Sequence, residues 1–157
     1  MTDALTRLNL AERALLDSEV RLQQVLDNTS ALVFAKDRQG RYLFVNREFE
    51  RIVGRSAADI LGRRDEEVFP AELATRFRHN DLRVLREGCA IEFEEVADFG
   101  EGERTFLSSK FPLCDAAREA YAVCGIATDI TERKRALQSL SDSEAQYRAI
   151  FNASVDA

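Results

Sequence analysis

The stretch YAVCGIATDITERK, residues 121–134, decides the fold. Its first half is apolar and β-branched, which is typical of a buried strand, and from Asp129 onward the residues are charged and helix-forming. Thr131 stands where a helix N-cap is expected, with acidic Glu132 and basic residues 133–135 after it. The pattern predicts a core strand that passes directly into a helix. A conformational change in the strand is therefore expected to be transmitted beyond the domain.

Length and composition limit the classes of protein. The chain has 157 residues, of which 45% are hydrophobic and 32% charged, which suits one globular domain with its own core. A formal net charge of -6 argues against nucleic acid as a partner, because its recognition needs a basic face. No run approaches the roughly 18 apolar residues of a membrane span, and the first residues lack the basic-then-apolar order typical of a signal peptide. We therefore expect a cytoplasmic location.

The three cysteines, Cys89, Cys114 and Cys124, show no CxxC spacing. This pattern predicts reduced and mostly buried thiols rather than a disulfide framework or a zinc site.

Residues 1–27 are predicted to form an N-terminal amphipathic helix. Leu8, Leu15 and Leu22 recur every seven residues, and Val25 lies on the interleaved positions of the same stripe. This a/d pattern is typical of a dimerisation helix that pairs with its copy. The alternative is that the stripe lies on the domain's own sheet.

The central residues 28–131 alternate strand and helix signals. Two β-rich runs flank a turn at residues 37–40, and Asn46 begins a short helix ended by Gly54. A longer helix over about 71–87 precedes three strands joined by short turns. The order predicts an α+β fold with a five-stranded antiparallel sheet and helices on one face, preceded by the amphipathic helix and followed by a C-terminal linker helix.

The end of the chain resembles its beginning. Residues 140–156 repeat the pattern of residues 15–31, including a shared Asp-Ser-Glu and the same apolar register. We interpret residues 132–157 as a linker helix and the start of a second, similar module. The alternative is that any two amphipathic helices look alike.

Taken in order, the segments resemble the PAS sensor domains. The resemblance covers roughly residues 25–134 and is carried by KDRQGRYLFVN at 36–46, ILG at 60–62, VLREG at 84–88, KFPLCD at 110–115 and GIATDITERK at 125–134. It implies a pocket between sheet and helices, and a sensory or relay module upstream of a kinase, cyclase or similar output domain in a multidomain protein. It also implies that Asp129, Ile130 and Thr131 relay the signal, with Asp129 held by a basic partner.

Catalytic motifs are missing from the sequence. It has no GxSxG, P-loop or HExxH, and one histidine that points outward does not complete a triad. The acidic pairs Glu66-Glu67 and Glu94-Glu95 are interpreted as solvated faces. We therefore expect a chain that is not an enzyme.

A ligand pocket is the main candidate site. By the resemblance, Tyr121, Val123, Gly125 and Ala127 face into the domain, where the two small residues leave space. The alternative is that Phe44, Phe77 or Phe106 fills this space. The predicted pocket residues are Phe34, Phe77, Val84, Phe106, Ser108, Lys110, Val123, Gly125 and Ala127.

Lys110 suggests the charge of the ligand. An inward ammonium would suit a small acidic metabolite by charge pairing. The alternatives are that Lys110 reaches out to solvent, or pairs with Glu92 or Glu94 on the neighbouring strand.

Two cofactors can be compared with the residues. Relatives that bind flavin covalently need a cysteine in the helical region, and none lies between Asn46 and Arg83, so that chemistry is excluded. Haem-binding relatives take a histidine from the long helix, where His79 stands. At about 100° per residue His79 projects opposite Leu73 and Phe77, so haem is not expected. The sequence requires no cofactor and identifies none.

The second class of function is a homodimeric interaction module without a ligand.

Overall fold

The computed structural model describes residues 2–157, and their side chains from residue 3 onward. Met1, which the sequence places in the N-terminal helix, lies outside the described residues. The elements are α1 (Thr2–Asp27), β1 (Leu32–Asp37), β2 (Tyr42–Val45), α2 (Arg47–Val53), α3 (Ala57–Ile60), α4 (Asp65–Val68), α5 (Ala71–Glu87), β3 (Ile91–Asp98), β4 (Glu103–Cys114), β5 (Ala120–Asp129) and α6 (Thr131–Val155).

The five strands form one antiparallel sheet in the order β2-β1-β5-β4-β3. Helix α5 packs against β3, β4 and β5, while α2 packs on β1 and α3 on β2. The predicted α+β fold is confirmed, including the turn between β1 and β2 and the long helix that begins after Pro70.

Asn46 ties the start of the domain together. Its Oδ1 accepts hydrogen bonds from the backbone N–H groups of Val33 at 2.9 Å and Phe49 at 3.1 Å. Its Nδ2 donates to the carbonyl of Leu26 at 2.8 Å. One buried amide therefore caps α2 and fixes the end of α1 against β1, which explains why a single Asn between strand and helix is a strong sequence signal.

Phe34 fills the space that Gly125 leaves. The two residues are cross-strand partners on β1 and β5, and a Cβ placed on Gly125 would lie 2.6 Å from Phe34 Cε1. The ring also packs edge-to-face on Tyr42 and Phe49, with centroids 6.2 and 5.9 Å away. The small residue on β5 therefore makes room for an aromatic ring of the core.

Several expectations about single residues were wrong. Ile130, not Thr131, occupies the N-cap of α6. Cys89 and Cys114 are exposed and Cys124 is half-buried, because they lie at turns or on the outward face of the sheet. Tyr121 is 51% exposed rather than turned inward.

The two terminal helices extend away from the core. Residues 3–25 of α1 and 132–155 of α6 have exposed side chains, so the apolar stripe of α1 does not lie on the sheet. Within residues 2–157, no helix combines the length and the apolar character that a membrane crossing requires.

Candidate functional site

A small cavity lies between the sheet and α5, at the centre of the aromatic core. Its volume is about 30 Å³, which is room for roughly one water molecule. Six of its lining residues are phenylalanines and five carry a polar group. The lining residues are Leu32, Phe34, Lys36, Tyr42, Phe49, Phe69, Phe77, Glu95, Ala97, Phe99, Phe106, Ser108, Lys110 and Ala127.

Most of the residues predicted for the pocket line this cavity. They are Phe34, Phe77, Phe106, Ser108, Lys110 and Ala127. The other three, Val84, Val123 and Gly125, are buried but do not line it. Gly125 is separated from the cavity by the ring of Phe34.

Five ionisable side chains form what we call the buried charge cluster: Lys36, Asp65, Asp81, Glu95 and Lys110. Lys36 Nζ lies 2.6 Å from Asp65 Oδ2 and 2.9 Å from Asp81 Oδ2. Lys110 Nζ lies 3.1 Å from Asp81 Oδ1 and 2.9 Å from Glu95 Oε1. Asp81 therefore bridges the two ammonium groups.

The cluster joins five separate elements. Lys36 comes from β1, Asp65 from α4, Asp81 from α5, Glu95 from β3 and Lys110 from β4. The side chains of the first three and of Lys110 are at most 2% exposed, and that of Glu95 is 9% exposed. Charges this far from water are tolerated only when they are paired and hydrogen-bonded.

Pairing outweighs burial in setting the pKa of two members of the cluster, Asp81 and Lys110. Burial alone would raise the pKa of Asp81, but the ammonium groups of Lys36 and Lys110 together lower it. Burial alone would lower the pKa of Lys110, but the carboxylates of Asp81 and Glu95 raise it. Both side chains are therefore held in their charged forms at neutral pH.

Tyr42 extends the cluster into the aromatic core. Its hydroxyl donates a hydrogen bond of 2.7 Å to Asp65 Oδ1. Burial raises the pKa of the phenol well above its usual value, and the nearby Asp65 carboxylate adds to this. The ring lies 4.8 Å from Lys36 Nζ, measured to its centroid, which places the ammonium over an aromatic face.

Sequence reasoning found Lys110 and missed its partners. Lys110 contacts neither Glu92 nor Glu94 but Glu95, and the interpretation of Glu95 as a solvated residue was wrong. The signals were present in the periodicity. Glu95 shares the inward face of β3 with Phe93, and Lys36 shares a face of β1 with Phe34, because residues two apart in a strand point the same way. Asp81 falls on the apolar stripe of α5 between Phe77 and Val84.

Ser108 is the polar residue of the cavity wall that is left without a partner. Its Oγ is fully buried and makes no hydrogen bond with any described residue. A buried hydroxyl without a partner is costly, and the usual explanation is a bound water or ligand. Ser108 therefore marks the wall from which a bound molecule can be held.

The predicted relay residues meet the start of β4. The N–H of Ile130 donates to the Thr105 carbonyl, and the N–H of Thr105 donates to Thr131 Oγ1, both at 2.9 Å. Asp129 Oδ1 accepts from the hydroxyl and the N–H of Thr131 at 2.6 and 2.9 Å. Asp129 Oδ2 lies 3.7 Å from Arg104 Nη1. These residues form the α6 joint.

The remaining predicted sites lie on the surface. His79 is exposed and does not line the cavity, so its position gives no support to a haem ligand. Leu8, Leu15, Leu22 and Val25 are all exposed on α1, as the dimer hypothesis requires. Their role stays a prediction.

Comparison with known proteins identifies the family. A family model described as the PAS fold matches residues 26–135. The chain is 32% identical over 164 residues to the methanogenesis regulatory histidine kinase FilI of Methanothrix harundinacea (strain 6Ac), covering 99% of this chain and 18% of that protein. It is 28% identical over 115 residues to the aerobic respiration control sensor protein ArcB of Escherichia coli (strain K12), covering 73% of this chain and 15% of that protein.

Solved structures agree on the fold. The PAS domain of Bordetella pertussis BvgS superposes with a TM-score of 0.64 at 23% identity, covering 83% of this chain and 98% of that domain. The sheet, the helices on its face and the sequence match together define a signal-sensing type of domain. The chain belongs to the PAS fold family, as its motifs predicted, and it spans less than a fifth of the length of the two relatives FilI and ArcB.

Proposed function

We propose that this chain is the sensing and relay module of a multidomain sensor kinase, in which the catalytic domain lies outside this chain. A small molecule in the cavity provides the signal. The relatives FilI and ArcB, a histidine kinase and a sensor protein, support this assignment. The free thiols fit a cytoplasmic position, where cysteines stay reduced.

One observation carries the proposal. Strand β4 contributes Phe106, Ser108 and Lys110 to the cavity, and Arg104 and Thr105 to the α6 joint. A shift of this strand caused by a ligand therefore reaches α6 through one backbone hydrogen bond, one hydrogen bond from the Thr105 N–H to the Thr131 hydroxyl, and one ion pair. Such a shift changes the output only if the ligand favours one position of the strand over another.

We propose that the module works as a homodimer through α1. The exposed stripe of leucines supports this, because an apolar seam of about three heptads is stabilised when it pairs with a copy. In a dimer, movement of α6 relative to its copy can pass to a second module or to an output domain.

A second candidate is a dimerisation module that binds no small molecule. The cavity volume of about 30 Å³ favours it, because the phenylalanine rings fill almost all of the space.

Native mass spectrometry of the purified protein separates these functions. The sensory proposal predicts a dimer that carries, or takes up from a cell extract, a small molecule released on denaturation. A dimer that never carries a small molecule favours the second candidate. A monomer without a bound molecule contradicts both.

A further inference from the structure

The charges around the cavity are not balanced. The buried charge cluster contains the two ammonium groups of Lys36 and Lys110 and the three carboxylates of Asp65, Asp81 and Glu95. With every group ionised, the cluster therefore carries one excess negative charge. Electrostatic interactions are several times stronger there than in water, because the surroundings are less polarisable.

Both ammonium groups of the cluster are already paired with carboxylates. Lys110 contacts Asp81 and Glu95, and Lys36 contacts Asp65 and Asp81. Each ammonium keeps a third N–H, but a carboxylate ligand placed there would add negative charge to a cluster whose carboxylates already outnumber its ammonium groups, and the repulsion is strong in this environment. The cavity wall therefore offers no unpaired ammonium to a carboxylate ligand.

Two polar groups of the cavity wall can accept further hydrogen bonds. Glu95 Oε1 receives both Lys110 Nζ and Asn80 Nδ2, each at 2.9 Å, and a carboxylate has further acceptor positions beyond these two. Ser108 Oγ makes no hydrogen bond with any residue in the range 2–157. Glu95 and Ser108 both line the cavity, so an incoming molecule meets a carboxylate oxygen and a hydroxyl.

The rest of the wall favours a flat apolar body. Six phenylalanines line the cavity, and aromatic faces attract both apolar rings and delocalised cations. A ring is larger than the present volume of about 30 Å³. Its entry requires Phe77 or Phe99 to move outward, since these two rings are only half-buried.

We propose that the cavity takes a small aromatic or apolar molecule with an N–H donor, either neutral or cationic, which bonds to Glu95 and Ser108, and that it rejects carboxylates. Amides, amines and amidines are the matching chemical class. This inference rests on the proposed sensory function, and it reverses the charge that Lys110 alone suggested.

The test uses three probes with the same ring: benzamidine, benzamide and benzoate. Each is titrated into ¹⁵N-labelled protein, and amide shifts at residues 95 and 108 report binding. Benzamidine and benzamide are expected to bind at least about tenfold more tightly than benzoate. Equal or tighter binding of benzoate would overturn the proposal.

Two variants sharpen the test. Glu95→Gln removes the excess negative charge and is expected to abolish the preference for benzamidine and benzamide over benzoate. Glu92→Gln makes the same change on the exposed side of β3 and should leave the preference intact. If both variants behave alike, Glu95 does not select the ligand and the proposal fails.

A third variant covers the case in which the native cavity does not open. Phe99→Ala removes a half-buried wall ring and enlarges the cavity. If none of the three probes binds to this variant at millimolar concentration, the proposal is wrong. The sensory function would survive that result, because the coupling between cavity and α6 is measured without any probe.

Discussion

Asp81 and Lys110 form a fully buried ion pair, with 3.1 Å between Asp81 Oδ1 and Lys110 Nζ. Asp81 belongs to α5 and Lys110 to β4, so the pair fastens the long helix to the sheet beside the cavity. Because neither side chain reaches water, each takes the place of the solvent for the other.

The first prediction concerns the loss of this carboxylate. Asp81→Asn leaves two ammonium groups without their shared partner and is expected to lower the free energy of unfolding by about 3–5 kcal/mol. Urea denaturation measures the change. Glu72→Gln, an exposed site on the same helix, is the control and should change stability by less than about 0.5 kcal/mol. Similar losses in both variants would contradict the role of the cluster.

The second prediction concerns pH. The folded pKa of Asp81 is lowered, so its contribution to stability is present above the unfolded value of about 3.9 and is lost as the pH falls through the folded pKa. The folded pKa of Lys110 is raised, so its contribution is present below about 10.4 and is lost as the pH rises through the folded pKa.

Urea midpoints should therefore form a plateau between about pH 5 and pH 9 and fall on both sides. In Asp81→Asn the fall on the acidic side should become shallower. An acidic limb of unchanged steepness in this variant would show that other carboxylates control acid unfolding.

The third prediction concerns Gly125. A Cβ at this position would lie 2.6 Å from Phe34 Cε1, so Gly125→Ala forces the ring out of its place and should cost about 1–3 kcal/mol. Thermal or urea denaturation measures the loss. Adding Phe34→Leu makes room for the methyl group, so the double variant should be less destabilised than the two single losses added together. Strict additivity would show that the two positions are not coupled.

The fourth prediction concerns the dimer. Leu15 lies on the a/d stripe of α1 and Leu16 lies beside it, at 61% and 59% exposure. Leu15→Asp should weaken dimerisation at least about tenfold, because it places a charge in the apolar seam. Leu16→Asp, outside the seam, should have little effect. Sedimentation analysis at several protein concentrations measures the dimer dissociation constant of each variant. Equal effects of the two substitutions would contradict pairing through this stripe.

The sequence predicts structural features that depend on residues close together in the chain better than contacts between residues far apart in the chain. Asn46 and Gly54 make capping contacts within their own turns, and each marked an end of α2 correctly. The Phe34–Gly125 contact joins residues far apart in the sequence, so spacing alone did not show which ring fills the space above Gly125.

The buried charge cluster shows the same limit. Lys36, Asp65 and Asp81 look like ordinary surface residues in a chain that is 32% charged. Only the fold brings five elements together around them. Glu95 was interpreted as a solvated residue, because charged side chains are rarely found in the apolar interior unless they are paired.

The most direct test of the relay asks whether a substitution in the cavity wall alters the hydrogen bonds of the α6 joint. Ser108→Val alters the cavity side of β4, and Ser109→Val makes the same change on the opposite face as a control. Amide hydrogen exchange measured by NMR at Thr105 and Ile130, which donate the two bonds of the α6 joint, provides the readout. We predict that Ser108→Val changes these exchange rates at least about threefold and that Ser109→Val does not. Unchanged rates in Ser108→Val, in a protein that remains folded, would contradict a relay from the cavity to α6.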